Sequence, residues 1–149
     1  MGLGYSIQNQ PLVLIGSKSG TTRTGVALTD AYDVANKTKI IETGEMSKAN
    51  FSFLYTVGAS ETDNSLLIRF ETSSDGTNFY RIPNEAVSAG ASVLTQREFS
   101  FVGATAAAHA FSLPLDIQDK FLRISVKESG VASNVGTIFC EVQLSGSAE

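Results

Sequence analysis

The segment SLLIRFETSSDGTNFYRIP, residues 65–83, constrains the fold more than any other part of the sequence. Two apolar runs flank a polar stretch centred on Asp75-Gly76, and this composition is typical of a β-hairpin. Leu66, Ile68 and Phe70 recur with the two-residue period of a strand, so their side chains share one face. We therefore predict a hairpin whose first strand turns its even-numbered residues towards the core.

The length of the loop sets the register of this hairpin. A two-residue turn would place Phe70 opposite Arg81, which combines an apolar and a charged side chain on one half-buried face. A three-residue loop would pair Phe70 with Tyr80 but would set two arginines opposite each other. A five-residue loop pairs Phe70 with Ile82. It also pairs Glu71 with Arg81, and we predict this loop because opposite charges stabilise a cross-strand pair.

Alternation of apolar and polar residues recurs in residues 50–57, 93–102, 111–117, 122–126 and 138–144. If the first of these segments pairs with the first strand of the hairpin, residues 51–82 form a three-stranded antiparallel meander. Pro114 cannot donate a backbone hydrogen bond and therefore predicts an edge strand or a bulge. The residues that we expect in the core are Phe53, Tyr55, Ile68, Phe70, Leu122, Ile124, Ile138 and Cys140.

The predicted fold class is all-β. About eight short strands separated by polar turns, without a helical period, predict a two-sheet antiparallel β-sandwich of jelly-roll type. We assign residues 1–149 to a single domain. Residues 1–36 are expected to form an extended arm or long loops, residues 37–144 the β-sandwich, and residues 145–149 a frayed tail. Within the sandwich, the stretch NEAVSAGAS that follows Pro83 is expected to be a loop.

Charge and composition argue against several classes of partner. The chain has 15 acidic and 11 basic residues, a net charge of −4. The basic residues are scattered singly, so we expect no track for nucleic-acid phosphates. No apolar run approaches the length of a membrane span, about 18 residues, and MGLGYSIQNQ lacks the basic and apolar regions of a secretory signal. We therefore expect neither nucleic acid nor a membrane as a partner.

Residues that could support catalysis or bind a metal are sparse. Cys140 is the only cysteine, and because it alternates with Ile138 and Val142 we expect it to be a buried small side chain. His109 is the only histidine and is expected on the surface or in a loop. The sequence contains no recognisable nucleophile and base pair, metal cluster or phosphate loop. It therefore predicts no enzyme activity, no cofactor and no metal.

Carboxylates are numerous, but no spacing singles out a catalytic pair of the kind that glycosidases use. Most are expected in loops or on the polar side of strands, namely Glu61, Asp63, Asp75, Glu85, Asp119 and Glu128. One alternative stays open. Asp63-Asn64 and Asp75 could meet around a cation at the rim of the sandwich.

A candidate interface lies on the last two apolar strands. Their core faces are already occupied, yet Phe121 and Phe139 fall on the opposite face together with Arg123. If the two strands pair antiparallel around residues 128–134, both rings lie close together on the outside of the sandwich. An exposed aromatic pair ringed by charges is typical of a contact surface. The alternative is that the N-terminal arm folds over the two rings.

The segment RFETSSDGTNFYRIP, followed later by DKFLRISVKESG and a final apolar strand, resembles the small β-sandwich proteins of tailed-bacteriophage virions. It is most similar in size and style to capsid decoration (cement) proteins, over residues 65–144. The resemblance implies a non-catalytic virion protein, made in the host cytoplasm, that binds the outer surface of the capsid and bridges capsomers. It also implies the major capsid protein as partner, a homo-oligomer that is often a trimer, and an N-terminal arm that reaches over the shell or a neighbouring subunit.

Two other functions stay open. The hairpin with its DGTN stretch and aromatic residues also resembles the discoidin-like sandwiches of carbohydrate-binding modules, which bind sugars with exposed aromatic side chains. The absence of Trp, the aromatic residue most used for stacking on sugars, counts against this function. A phage tail or baseplate subunit would share the virion with a decoration protein and differ in location.

Overall fold

The computed structural model describes residues 11–32, 38–103 and 106–146. Within these ranges the chain consists of strands and turns, without helices and hence without a helix that could cross a membrane. The strands are β1 (Leu12–Ile15), β2 (Ser17–Ser19), β3 (Thr22–Thr24), β4 (Val26–Ala27), β5 (Thr38–Glu42), β6 (Lys48–Thr56), β7 (Asn64–Ser73), β8 (Tyr80–Arg81), β9 (Pro83–Ser88), β10 (Ala91–Gln96), β11 (Phe99–Gly103), β12 (Ala108–Asp116), β13 (Phe121–Ser129) and β14 (Thr137–Ser145).

The strands form two main antiparallel sheets. In the first sheet the order is β1, β14, β6, β12, and β4 also pairs with β14. In the second sheet the order is β11, β7, β13, β5, and β8 also pairs with β7. Side chains from the two sheets meet between them, where the rings of Phe51 in β6 and Phe70 in β7 lie 4.9 Å apart. The predicted all-β, two-sheet antiparallel β-sandwich is confirmed.

The core is built from the inward faces of the central strands. In β6 and in most of β7 every second residue is buried, as the two-residue period requires. Removing this apolar surface from water contributes about 25 cal/mol per Å². The side chains predicted for the core are all buried, namely Phe53, Tyr55, Ile68, Phe70, Leu122, Ile124, Ile138 and Cys140.

The predicted three-stranded meander is wrong. β6 pairs with β12 and β14 in the first sheet, whereas β7 pairs with β8, β11 and β13 in the second. The loop between β6 and β7 therefore crosses from one sheet to the other, and the apolar faces of these strands oppose each other across the core. Alternation specifies which face of a strand is buried, but a buried face is satisfied equally by a neighbouring strand or by an opposing sheet.

The predicted register of the 65–83 hairpin is confirmed. Glu71 pairs with Arg81 and Thr72 with Tyr80, and the Ile82 amide donates to the Phe70 carbonyl at 3.4 Å. The position of Pro114 is also explained. Its strand, β12, lies at the edge of the first sheet, where a missing amide donor is tolerated.

Two expectations about residues 84–102 are wrong. The stretch expected to be a loop contributes β9 and part of β10, which form a hairpin of their own through a two-residue turn at Ala89 and Gly90. Both turn residues have positive φ, 52° and 78°, the geometry of a type I′ turn. The predicted strand 93–102 is interrupted at Arg97 and Glu98, so that it contributes to both β10 and β11.

The described part of the N-terminal segment, residues 11–32, is neither an extended arm nor a set of long loops, because it contains strands β1 to β4. β1 and β4 pair with β14, and Ile15 and Leu28 are buried in the core. Between them, β2 and β3 form a short hairpin from which the Lys18 ammonium donates to Glu141 at 3.1 Å. Ser145, expected in a frayed tail, ends β14. Residues 1–10, 33–37 and 147–149, which belong to the predicted arm, its boundary with the sandwich and the tail, lie outside the described residues.

Candidate functional site

The predicted aromatic pair does not form. β13 lies in the second sheet and β14 in the first, so Phe121 and Phe139 do not share a face. Phe139 is 1% exposed, and the backbone of Gly16 lies against its ring, since a Cβ on Gly16 would be 3.1 Å from Phe139 Cδ2. Phe121 is half-buried beneath Gly76 of the hairpin loop. The hypothesis that the N-terminal arm covers both rings is therefore correct for Phe139 only. Phe121 is covered by the loop that contains Gly76.

Arg123, the charged member of the predicted interface, has its partners within the chain. Its Nε and Nη2 donate to the two carboxylate oxygens of Glu71 at 3.1 and 2.9 Å, a bidentate geometry that is among the stronger ion pairs. Its guanidinium carbon lies 4.3 Å from the centre of the Phe79 ring. Arg123 therefore links the loop of the 65–83 hairpin, through Phe79, to the outer face of the second sheet.

Further charged and aromatic side chains contact one another along the same outer face. Arg69 Nε lies 3.8 Å from Glu71 Oε1, and the Arg69 guanidinium covers the Tyr32 ring at 4.3 Å. The Lys127 ammonium covers the same ring at 4.7 Å. The Tyr32 hydroxyl donates to Glu98 at 2.5 Å, and burial together with this hydrogen bond raises the pKa of Tyr32 well above its usual range. These contacts attach the end of the described N-terminal segment to the second sheet.

Glu128, which was expected in a loop or on the polar side of a strand, is instead a buried carboxylate of β13. It is 1% exposed and accepts hydrogen bonds from the Tyr55 hydroxyl at 2.5 Å, Asn64 Nδ2 at 3.2 Å and the Gly136 amide at 2.7 Å. Burial and the bond to Glu128 raise the pKa of Tyr55 strongly. With both oxygens engaged and no access to solvent, Glu128 joins the two sheets and the loop before β14.

Glu61 is a second buried carboxylate, where the sequence predicted a loop or polar position. Its oxygens accept hydrogen bonds from the backbone amides of Ala132, Ser133 and Asn134 at 2.6 to 2.9 Å. These amides lower the pKa of Glu61 from its usual value. No local sequence signal marks either carboxylate, because their donors are 8 to 73 residues away in the chain.

The structure places the cysteine, the histidine and the proposed cation ligands apart from one another. Cys140 is fully buried, as predicted, and burial raises the pKa of its thiol. His109 lies within β12, half-buried beside the Tyr55 and Phe101 rings, and not in a loop. Asn64 and Ser73 are the two ends of β7, so Asp63-Asn64 and Asp75 are too far apart to share a cation. Within the described ranges, no three His, Cys, Asp or Glu side chains are grouped to hold a metal.

Exposed apolar side chains lie on the hairpin of β9 and β10, which we call the projecting hairpin. β13 covers one edge of β7, and β11 and β8 pair with successive parts of its other edge. The projecting hairpin leaves the sheet between β8 and β11 and, among the described residues, its strands pair only with each other. Six residues per strand extend about 20 Å. Val87 is 75% exposed and Leu94 70% exposed, and the register places both on one face.

A cavity of about 580 Å³ lies at the end of β13. Its size falls within the range of small-ligand sites. Its walls combine the buried Leu28 and the partly exposed Val135 with charged and hydroxyl side chains. The lining residues are Leu28, Thr29, Asp30, Lys127, Glu128, Ser129, Gly130, Val131 and Val135.

Comparison with known proteins gives little beyond the fold. No protein-family model matches the chain, and no curated protein matches it. Among solved structures, it is similar to a non-crystalline cellulose specific carbohydrate-binding module, with 10% sequence identity and a TM-score of 0.43. The alignment covers 97% of this chain and 87% of that chain. At this distance the ligand of the other protein is not transferable.

Proposed function

We propose that this protein is a non-catalytic structural protein of a bacteriophage virion that attaches to the outer surface of the capsid and bridges neighbouring capsomers. The projecting hairpin is the observation that carries the proposal. An isolated two-stranded hairpin is marginally stable in water, and exposed apolar side chains such as Val87 and Leu94 gain free energy when a partner covers them. The resemblance of residues 65–144 to decoration proteins supports the capsid as that partner.

The surroundings of the projecting hairpin support its use as an attachment element. The chain returns to the edge of β7 directly on both sides of it, through β8 and β11. The outer face beside β8 is held by the ion pair of Glu71 with Arg123. A hairpin fixed at its base loses less conformational freedom on docking than a free segment would.

Co-sedimentation with shells assembled from the major capsid protein of the phage that encodes this chain tests the proposal. We expect the wild-type protein to bind these shells saturably and Leu94→Lys to bind them more weakly, because the substitution replaces an exposed apolar side chain of the hairpin with a charge. Leu12→Lys is the matched control, since Leu12 is an exposed apolar residue in the other sheet. Equal binding by Leu94→Lys and wild type, or no binding by wild type, would contradict the proposal.

Carbohydrate binding is the second candidate, favoured by the cavity at the end of β13. Lys127, Asp30 and Ser129 line its wall, and such polar groups beside apolar surface suit a ligand rich in hydroxyls. Affinity electrophoresis against a panel of soluble polysaccharides tests this candidate. Retardation of the wild type, lost in Ser129→Trp because the larger side chain fills the cavity, would favour it over the capsid function.

A further inference from the structure

The two ends of the second sheet differ in how their outer strands are arranged. One end carries the projecting hairpin between β8 and β11, and the other end is β5. Among the described residues, β5 pairs with β13 alone, so its outer edge has no strand beside it. Ile40 of β5 is 54% exposed although it lies within a strand. An open edge with an exposed apolar side chain is a template for pairing with another strand.

Hydrogen bonding determines which backbone groups of β5 face this open edge. The Thr43 amide donates to the Lys120 carbonyl at 2.8 Å, so these two residues continue the ladder as a hydrogen-bonded pair. Hydrogen-bonded and non-hydrogen-bonded residue pairs alternate along antiparallel strands. The backbone groups of Ile40 and Glu42, opposite Arg123 and Phe121, therefore point away from β13 and towards the open edge.

The two-residue turn determines which backbone groups of β10 face away from β9. In a hairpin with a two-residue turn, the residues that flank the turn form a hydrogen-bonded pair, and here these are Ser88 and Ala91. Alternation then turns the backbone groups of Ser92 and Leu94 away from β9. The edge of β10 thus offers backbone groups that no described strand pairs with, at the same two-residue spacing as the edge of β5.

We propose that a second copy of this chain fills the open edge of β5 with its β10, in antiparallel orientation. Setting Leu94 opposite Ile40 places two exposed apolar side chains together and puts Ser92 opposite Glu42, where the hydroxyl can donate to the carboxylate. The other edge of the hairpin fits less well. If Val87 of β9 faced Ile40, Glu85 would lie opposite Glu42, and two like charges in a cross-strand pair are destabilising.

This interface joins different surfaces of the two copies, because the hairpin of one meets β5 of the next. Repetition of such a contact closes into a ring when the rotation allows it and otherwise gives an open filament. The second sheet would then continue from copy to copy. The inference deepens the proposed function and rests on it for the role of the oligomer, since a ring of sandwiches would place several attachment surfaces on neighbouring capsomers.

Sedimentation of two single variants and their controls tests the interface. Ser92→Pro removes an amide that points away from β9, so the hairpin keeps its internal bonds while the edge of β10 is blocked. Ile40→Lys places a charge on the edge of β5. We expect each variant to weaken self-association by about tenfold or more. Val87→Pro blocks the unused edge of β9, and Leu12→Lys changes an exposed apolar residue of the first sheet; both should associate like the wild type.

Mixing the two interface variants gives the decisive result. Ser92→Pro retains an intact β5 edge and Ile40→Lys retains an intact β10 edge, so the mixture should form a dimer with one interface and no larger species. Wild type that is monomeric at micromolar concentration, or interface variants that associate like wild type, would overturn the inference. Shell binding is measured separately: a wild-type monomer that still co-sediments with shells would reject this interface while leaving the proposed function intact.

Discussion

Glu128 illustrates how a single side chain connects the sandwich. Its three donors come from β6, from β7 and from the loop before β14, so one carboxylate links both sheets. Buried polar groups with complete hydrogen bonding favour one arrangement of the elements around them. Such a network is costly to disrupt, because every donor that loses its acceptor stays buried.

Glu128→Ala should therefore destabilise the protein strongly. The substitution leaves the donors of Tyr55, Asn64 and Gly136 without their acceptor, and each unsatisfied buried group costs about 1 to 3 kcal/mol. We expect the free energy of unfolding, measured by urea denaturation, to fall by about 3 kcal/mol or more. Asp116→Ala is the control, since the Asp116 pair with Lys48 is largely exposed and is worth about 1 kcal/mol or less. Similar losses in both variants would contradict the role assigned to Glu128.

Phe70→Ala tests the contact between the sheets. The Phe70 ring meets Phe51 at 4.9 Å and Phe99 at 5.8 Å, so its removal leaves a cavity lined by other aromatic rings. We expect a loss of about 3 to 5 kcal/mol in the free energy of unfolding, as for other large-to-small core substitutions. Val102→Ala, on an exposed side chain, should change it by about 0.5 kcal/mol or less. A loss below about 1 kcal/mol for Phe70→Ala would contradict the packing described.

At the scale of elements, the loop after β13 depends on Glu61. Three backbone amides hold its carboxylate ionised and lower its pKa below the ordinary value of 4.5. A carboxyl with a lower pKa in the folded state contributes stability above its unfolded pKa, and this contribution disappears as the pH falls through the folded pKa. We expect wild type to melt at a higher temperature than Glu61→Gln at pH 7, with the difference shrinking below about pH 4.5. A difference that stays constant from pH 7 to pH 3 would contradict this account.

The elements also show what the sequence could and could not predict. The register of β7 with β8 followed from local charges, because Glu71 and Arg81 lie ten residues apart and only the loop length was open. The neighbours of β6 and β7 could not be derived in this way. Their faces are equally apolar, and the choice between pairing side by side and opposing each other depends on strands that follow much later in the chain. The predicted contact of Phe121 with Phe139 failed for the same reason, since it assumed that consecutive strands pair.

The projecting hairpin was missed for a different physical reason. Its strands lack an apolar face of the usual kind, since Ser88, Ala91 and Ser92 are small or polar, and the segment resembles a loop in composition. Its Val87 and Leu94 are exposed and lie outside the described core. The buried carboxylates escaped prediction because their partners are distant in sequence.

At the scale of the whole molecule, the N-terminal segment and the projecting hairpin have opposite roles. Ile15 and Leu28 belong to the core, and Gly16 lies against the otherwise exposed ring of Phe139. We therefore expect folding to require the described part of the N-terminal segment. The projecting hairpin contributes no side chain to the described core, so it is available for attachment.

Truncation of the projecting hairpin separates attachment from folding. Replacing residues 84–95 with a short Gly-Ser linker removes the exposed Val87 and Leu94 and the edge of β10 but leaves both main sheets complete. The free energy of unfolding should therefore change by about 1 kcal/mol or less. We expect the truncated protein to lose both self-association and co-sedimentation with shells, because both proposed contacts use the hairpin.

Deletion of residues 11–28 is the counterpart. It removes Ile15 and Leu28 from the core and uncovers Phe139, and it should abolish cooperative unfolding. Truncated protein that still binds shells like the wild type would show that attachment uses another surface.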